Sequence, residues 1–113
     1  EEITVEDPFM QKLVELITEN AQDPELSMEV LYNKLGMSRT QFFRKIKAIS
    51  DLSPNKLILN IRMKMAVEKF QSGGMTIAEV AYEVGFSDPA YFSKVFKSVF
   101  NQTPTEYIKN IGK

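Results

Sequence analysis

The segment Thr76–Phe100, TIAEVAYEVGFSDPAYFSKVFKSVF, reads as two helices separated by a glycine turn. Ile77, Val80 and Val84 recur at helical spacing and stop at Gly85, and Phe92, Phe96 and Val99 carry a second apolar stripe. Thr76 with Glu79 is a capping-box pattern. Asp88-Pro89 is a cap followed by proline at the first helical position, where its missing N–H costs nothing. A short helix, a glycine-bearing turn and a longer helix form the outline of a helix-turn-helix.

The chain writes this outline twice. SMEVLYNKLG, Ser27–Gly36, matches TIAEVAYEVG at an offset of 49, pairing Met28, Leu31, Leu35 and Gly36 with Ile77, Val80, Val84 and Gly85. From Phe42 the offset is 50, because the second turn is one residue longer. Phe42, Ile46, Ile49, Ser53 and Pro54 then pair with Phe92, Phe96, Val99, Thr103 and Pro104. One such outline is common among helical hairpins. Two in register, each followed by a Ser/Thr-Pro helix start, are a far more specific signal.

The flanking sequence is helical as well. Asp7 caps a first helix with Pro8 in its first turn and Phe9, Leu13, Leu16 and Ile17 on its inner face, and AQDPE ends it. Ser27 caps the next helix, and Ser38 with Gln41 opens the one after that. Ser53-Pro54 starts a longer helix that runs to QSGG, with Leu57, Ile58, Ile61, Met65, Val67 and Phe70 on more than one side. Such a helix is covered by neighbours on two sides. Strand-like alternation is nearly absent. The expected fold is all-α, with about seven helices in a single domain spanning 1–113. Within it, helix-turn-helix subdomains at 8–52 and 73–113 are joined by a long central helix at 53–72.

Composition narrows the chemistry. The 113 residues include no cysteine and no histidine, which removes zinc fingers, Cys/His nucleophile pairs, histidine bases and disulfide frameworks. No glycine-rich phosphate loop or recognisable carboxylate pair is present, so no enzyme activity, metal or cofactor is expected. No apolar run approaches the roughly 20 residues of a membrane span. The chain begins at Glu1 without a signal-peptide pattern, and the expectation is a fragment of a larger, cytoplasmic protein.

The net charge of -1 conceals an uneven distribution. Residues 1–38 carry nine acids and two bases, residues 39–69 two acids and eight bases, and residues 70–113 four of each. A basic middle third points to a polyanionic partner, although a solvated helix surface would look the same.

A helical wheel shows where those bases lie. With Phe42 at 0° and about 100° per residue, Ile46 and Ile49 share its face, while Thr40, Arg44 and Lys47 lie opposite and Phe43 on the flank. In the second copy Ala90, Lys94 and Lys97 lie opposite Phe92, Phe96 and Val99, with Ser93 on the flank. Each helix thus exposes a small or polar N-terminal residue followed by two cations, the chemistry of a recognition helix. Arg44 suits guanine or phosphate, or stands solvated. Lys47 and Lys97 are point charges deeper in their helices and suit phosphate. Gln41 is either a base contact or occupied by its own cap. Phe43 either meets a thymine methyl or packs on a neighbouring helix. Tyr91, at the stripe's edge, is assigned to packing rather than to phosphate.

Taken together, LYNKLGMSRTQFFRKIKAISDLSP, IRMKMAVEKF and IAEVAYEVGFSDPAYFSKVFKSVFNQTPTEY resemble the AraC/XylS-type DNA-binding domain of bacterial transcription regulators. The resemblance covers roughly residues 8–108. It implies seven helices and sequence-specific binding of double-stranded DNA. By position it assigns Arg39, Thr40, Gln41, Phe43, Arg44 and Lys47 to the first recognition helix. Asp88, Pro89, Ala90, Ser93, Lys94 and Lys97 fall in the second. The chain departs from the family pattern where Asp51 and Asn101 replace glycine, both tolerant of a left-handed backbone, and where Ile108 replaces arginine. FFRKIKAISDLSPNKLILNIRMKMA also resembles the C-terminal output domains of hybrid two-component sensors, which implies an upstream sensor or dimerisation domain and RNA polymerase as a further partner. The competing reading is a helical protein-interaction module whose basic face docks an acidic partner, such as a receiver domain or a polymerase subunit.

Overall fold

The computed structural model describes residues 7–112; Glu1, Glu2 and Glu6 of the acidic third, and Lys113, lie outside them. Among the described residues there are seven α-helices and no strand: α1 (Pro8–Asn20), α2 (Met28–Lys34), α3 (Arg39–Ile49), α4 (Pro54–Ser72), α5 (Ile77–Glu83), α6 (Pro89–Phe100) and α7 (Pro104–Ile111). None is long and apolar enough to cross a membrane.

The helix starts are chemical. Asp7 accepts from the N–H groups of Phe9 and Met10, and Ser27 and Ser53 accept from Val30 and Lys56. Ser38/Gln41, Thr76/Glu79 and Thr103/Glu106 form reciprocal capping boxes, satisfying donors that a helix end otherwise leaves unpaired. The third box goes beyond the cap and proline expected at Thr103-Pro104. Hydrogen bonds from the backbone N–H and the side chain of Thr103 hold the Glu106 carboxyl below its ordinary pKa, and the charge of Lys97 adds to the effect.

The repeat extends to individual hydrogen bonds. After α2, the N–H of Met37 donates to the Tyr32 carbonyl at 2.9 Å and that of Gly36 to Asn33 at 3.1 Å. After α5, Phe86 donates to Ala81 at 2.9 Å and Gly85 to Tyr82 at 3.1 Å. Each is a 6→1 closure through a left-handed glycine, with φ +67° at Gly36 and +92° at Gly85.

Two apolar cores share α4. The first joins Met10, Leu13, Leu16 and Ile17 of α1 to Leu31, Phe42 and Ile46, and to Leu57, Ile58 and Ile61 of α4. The second joins Met63, Ala66 and Phe70 of α4 to Val80, Val84, Phe86, Phe92 and Phe96. Sidedness along α4 therefore changes between Ile61 and Met63, which is why the helix reads as apolar all round. The molecule is elongated, with principal extents of 44 × 24 × 21 Å.

Several expectations shift. Met10, rather than Phe9, occupies the α1 core face, and Phe9 lies at its rim beneath the Lys45 ammonium, 5.4 Å from its ring centroid. Val99 is 37% exposed. Phe100 packs on Phe96 at 4.6 Å between ring centroids, and Tyr107 of α7 lies 5.7 Å from Phe96, so bulkier rings fill the space expected for Val99. The two glycine replacements also differ. Asn101 adopts the left-handed conformation (φ +60°) and closes α6, whereas α3 ends through an extended Ser50, and Asp51 has no positive φ.

Candidate nucleic-acid interface

Both α3 and α6 are anchored by two fully buried residues each and turn a polar face to solvent. Phe42 and Ile46 hold α3 against the first core; Phe92 and Phe96 hold α6 against the second. Arg39, Thr40, Gln41, Arg44 and Lys47 are exposed along α3, with Phe43 half-buried. Asp88, Ala90, Lys94 and Lys97 are exposed at and along α6, with Pro89 and Ser93 half-buried. One ion pair, Lys69–Glu83, is found among the described residues, so none engages Arg44, Lys47, Lys94 or Lys97 there. These cations stand in solvent, available to an anionic partner.

The geometry separates roles that the sequence left open. The Gln41 Oε1 accepts from the Ser38 N–H at 3.0 Å, while the Ser38 hydroxyl accepts from the Gln41 N–H at 3.1 Å. The cap occupies one acceptor site of the Gln41 carbonyl and fixes the direction of the side chain, while its NH₂ takes no part in the box. Phe43 packs edge-on against Phe42 at 5.9 Å, and the Arg39 guanidinium lies over its ring at 4.7 Å. Phe43 therefore props Arg39 over the N-terminal end of α3. At α6 the Asp88 carboxylate accepts from the Ala90 N–H at 3.0 Å, so the acid is a working cap. It leaves a negative charge at the N-cap of α6, where α3 has the neutral Ser38 followed by Arg39.

Tyr91, expected to pack, is instead 58% exposed. Its ring rests on Phe86 at 6.0 Å and the rest of the side chain faces solvent beside Ala90 and Lys94. The sequence does carry a signal for this: the offset that pairs Phe42 with Phe92 pairs exposed Gln41 with Tyr91.

The helix-turn-helix domain family matches residues 31–110. The histidine kinase P4 of Formosa agariphila is 34% identical over 92% of this chain, which spans 8% of that relative's length. The chain spans 28% to 54% of the next curated relatives it matches. The C-terminal domain of AraT, a response regulator from Geobacillus stearothermophilus, superimposes with a TM-score of 0.83 at 28% identity, over 92% of this chain and 86% of that one. A transcriptional regulator from Chromobacterium violaceum, described as of the AraC-type DNA-binding domain-containing proteins, gives a TM-score of 0.82 at 28% identity over 91% of both chains. With its doubled motif, shared central helix and matching residues, the chain belongs to the family of AraC-type helix-turn-helix domains.

Proposed function

We propose that the chain is the DNA-binding domain of a bacterial transcription regulator, and that it lays α3 and α6 into successive major grooves on one side of a duplex. The observation that carries this is the doubled presentation of uncommitted cations, Arg44 and Lys47 on one helix and Lys94 and Lys97 on the other. The α4 helix, 19 residues long, spans ~28 Å at ~1.5 Å per residue. The 44 Å long axis of the molecule exceeds the ~34 Å of one DNA turn. The subdomains at 8–52 and 73–113 are joined by the linker helix at 53–72, whose two halves contribute to the two cores.

In this reading Arg39, Thr40, Arg44 and Lys47, supported by Gln41 and Phe43, meet one groove. Asp88, Pro89, Ala90, Ser93, Lys94 and Lys97, with Tyr91, meet the next. The copies differ, so the site is asymmetric, and the more basic α3 anchors it. The similarity to a histidine kinase and to a response-regulator domain supports a place as the output domain of a two-component regulator. An upstream sensor or dimerisation domain and RNA polymerase are then its partners, in the cytoplasm, and the domain performs no reaction of its own.

Duplex binding measured against salt tests the reading. Log affinity should fall linearly with log salt, by about 0.9 per phosphate contacted. A flat dependence together with tight binding to an acidic protein would favour a protein-docking module.

A further inference from the structure

The two glycine turns share one hydrogen-bond pattern but differ in their surroundings. A Cβ on Gly36 would meet nothing within 4 Å. A Cβ on Gly85 would collide with the Ala21 carbonyl and lie 2.7 Å from Nη2 of Arg62. Ala21 belongs to the loop between α1 and α2, in the first half of the chain; Gly85 belongs to the second motif. Arg62 lies between them, at the point on α4 where the apolar cores change over.

The same nitrogen of Arg62 donates to the Asp23 carbonyl at 2.8 Å. Alongside, Gln22 donates to the Glu83 carboxylate at 3.5 Å, and Lys69 pairs with Glu83 at 3.4 Å. Burial lowers the Arg62 pKa, opposed in part by Asp23, and its Nε is buried without a protein partner among the described residues. A guanidinium held this way adds little net stability, because desolvation offsets its hydrogen bond. Its consequence is geometric.

We propose that Arg62 is a positioning residue, tying the α1–α2 loop to the second turn and so fixing the spacing and orientation of α3 relative to α6. The geometry stands independently of ligand; its consequence for DNA rests on the two-groove reading above. A rigidly held second helix binds at high effective concentration once the first has docked, and a loosened one does not.

The chain lacks cysteine, so spin labels on Ala48→Cys of α3 and Ser98→Cys of α6, both exposed, report the distance between the two helices without interference. Wild type should give one narrow distance distribution. Arg62→Met, which keeps an apolar stem, should broaden or shift it while cooperative unfolding persists, and Arg62→Lys should restore it in part. If Arg62→Met does not unfold cooperatively, Arg62→Gln carries the comparison. An unchanged distribution in the folded variant overturns the proposal.

The DNA arm uses a bipartite duplex and the same duplex with one base pair inserted between its half-sites. Wild type should lose about tenfold on insertion and Arg62→Met about threefold or less, with each isolated half-site bound within about twofold of wild type. If wild type is indifferent to the insertion, the two-groove reading fails, and the spin-label distances still decide the role of Arg62.

Discussion

Arg44 carries the sharpest expectation for a single side chain. It is exposed, takes part in no ion pair among the described residues, and projects from the middle of α3. Arg44→Ala should weaken binding to the cognate duplex by ~1–3 kcal/mol and relax preference at one base position. Unchanged affinity and preference at moderate salt would remove Arg44 from base reading. Asp88 predicts the opposite sign. Asparagine keeps the cap to Ala90 and removes a charge that repels phosphate, so Asp88→Asn should tighten nonspecific duplex binding about two- to fivefold. Unchanged or weaker binding would leave Asp88 as a cap alone. The wheel finds Thr40, Arg44, Lys47, Lys94 and Lys97 because exposure on a helix follows from a period of 3.6. It does not find the exposure of Tyr91, which borders the buried stripe on the wheel; only the pairing with Gln41 across the repeat points to it.

Helix starts are legible because Asp, Ser and Thr caps act on N–H groups two or three residues away, as at Asp7, Ser38 and Thr76. The last turn of α6 is not, because Val99, Phe100 and Tyr107 compete for one space across two helices. That cluster should dominate stability. Phe96 is fully buried and touches Phe70, Phe92, Phe100 and Tyr107. Phe96→Ala should therefore cost ~3–5 kcal/mol in denaturant unfolding. The α7 cap predicts an acid sensitivity. The Glu106 pKa is lowered by folding, chiefly through its hydrogen bonds with Thr103. Its contribution is thus present above the ordinary glutamate range and is lost as pH falls through the lower folded value. Melting from pH 7 to pH 3 should show a smaller decline for Glu106→Gln than for wild type, because glutamine keeps an acceptor and cannot titrate. Equal declines would contradict this.

The pairing of two motifs is visible in the offsets alone, and so is a long helix between them with apolar residues on more than one side. The joint between the halves is not. It brings Arg62 against the Asp23 carbonyl, 39 residues away, and Gly85 against Ala21, and no periodicity marks such contacts. On the two-groove reading, the assembled molecule is a binder with two unlike heads at a fixed separation. Selection of bound sequences from random duplex DNA tests this most directly. The predicted result is enrichment of one asymmetric, bipartite motif whose half-sites are centred ~10 bp apart. No enrichment, or a single short half-site without a spaced partner, would contradict it.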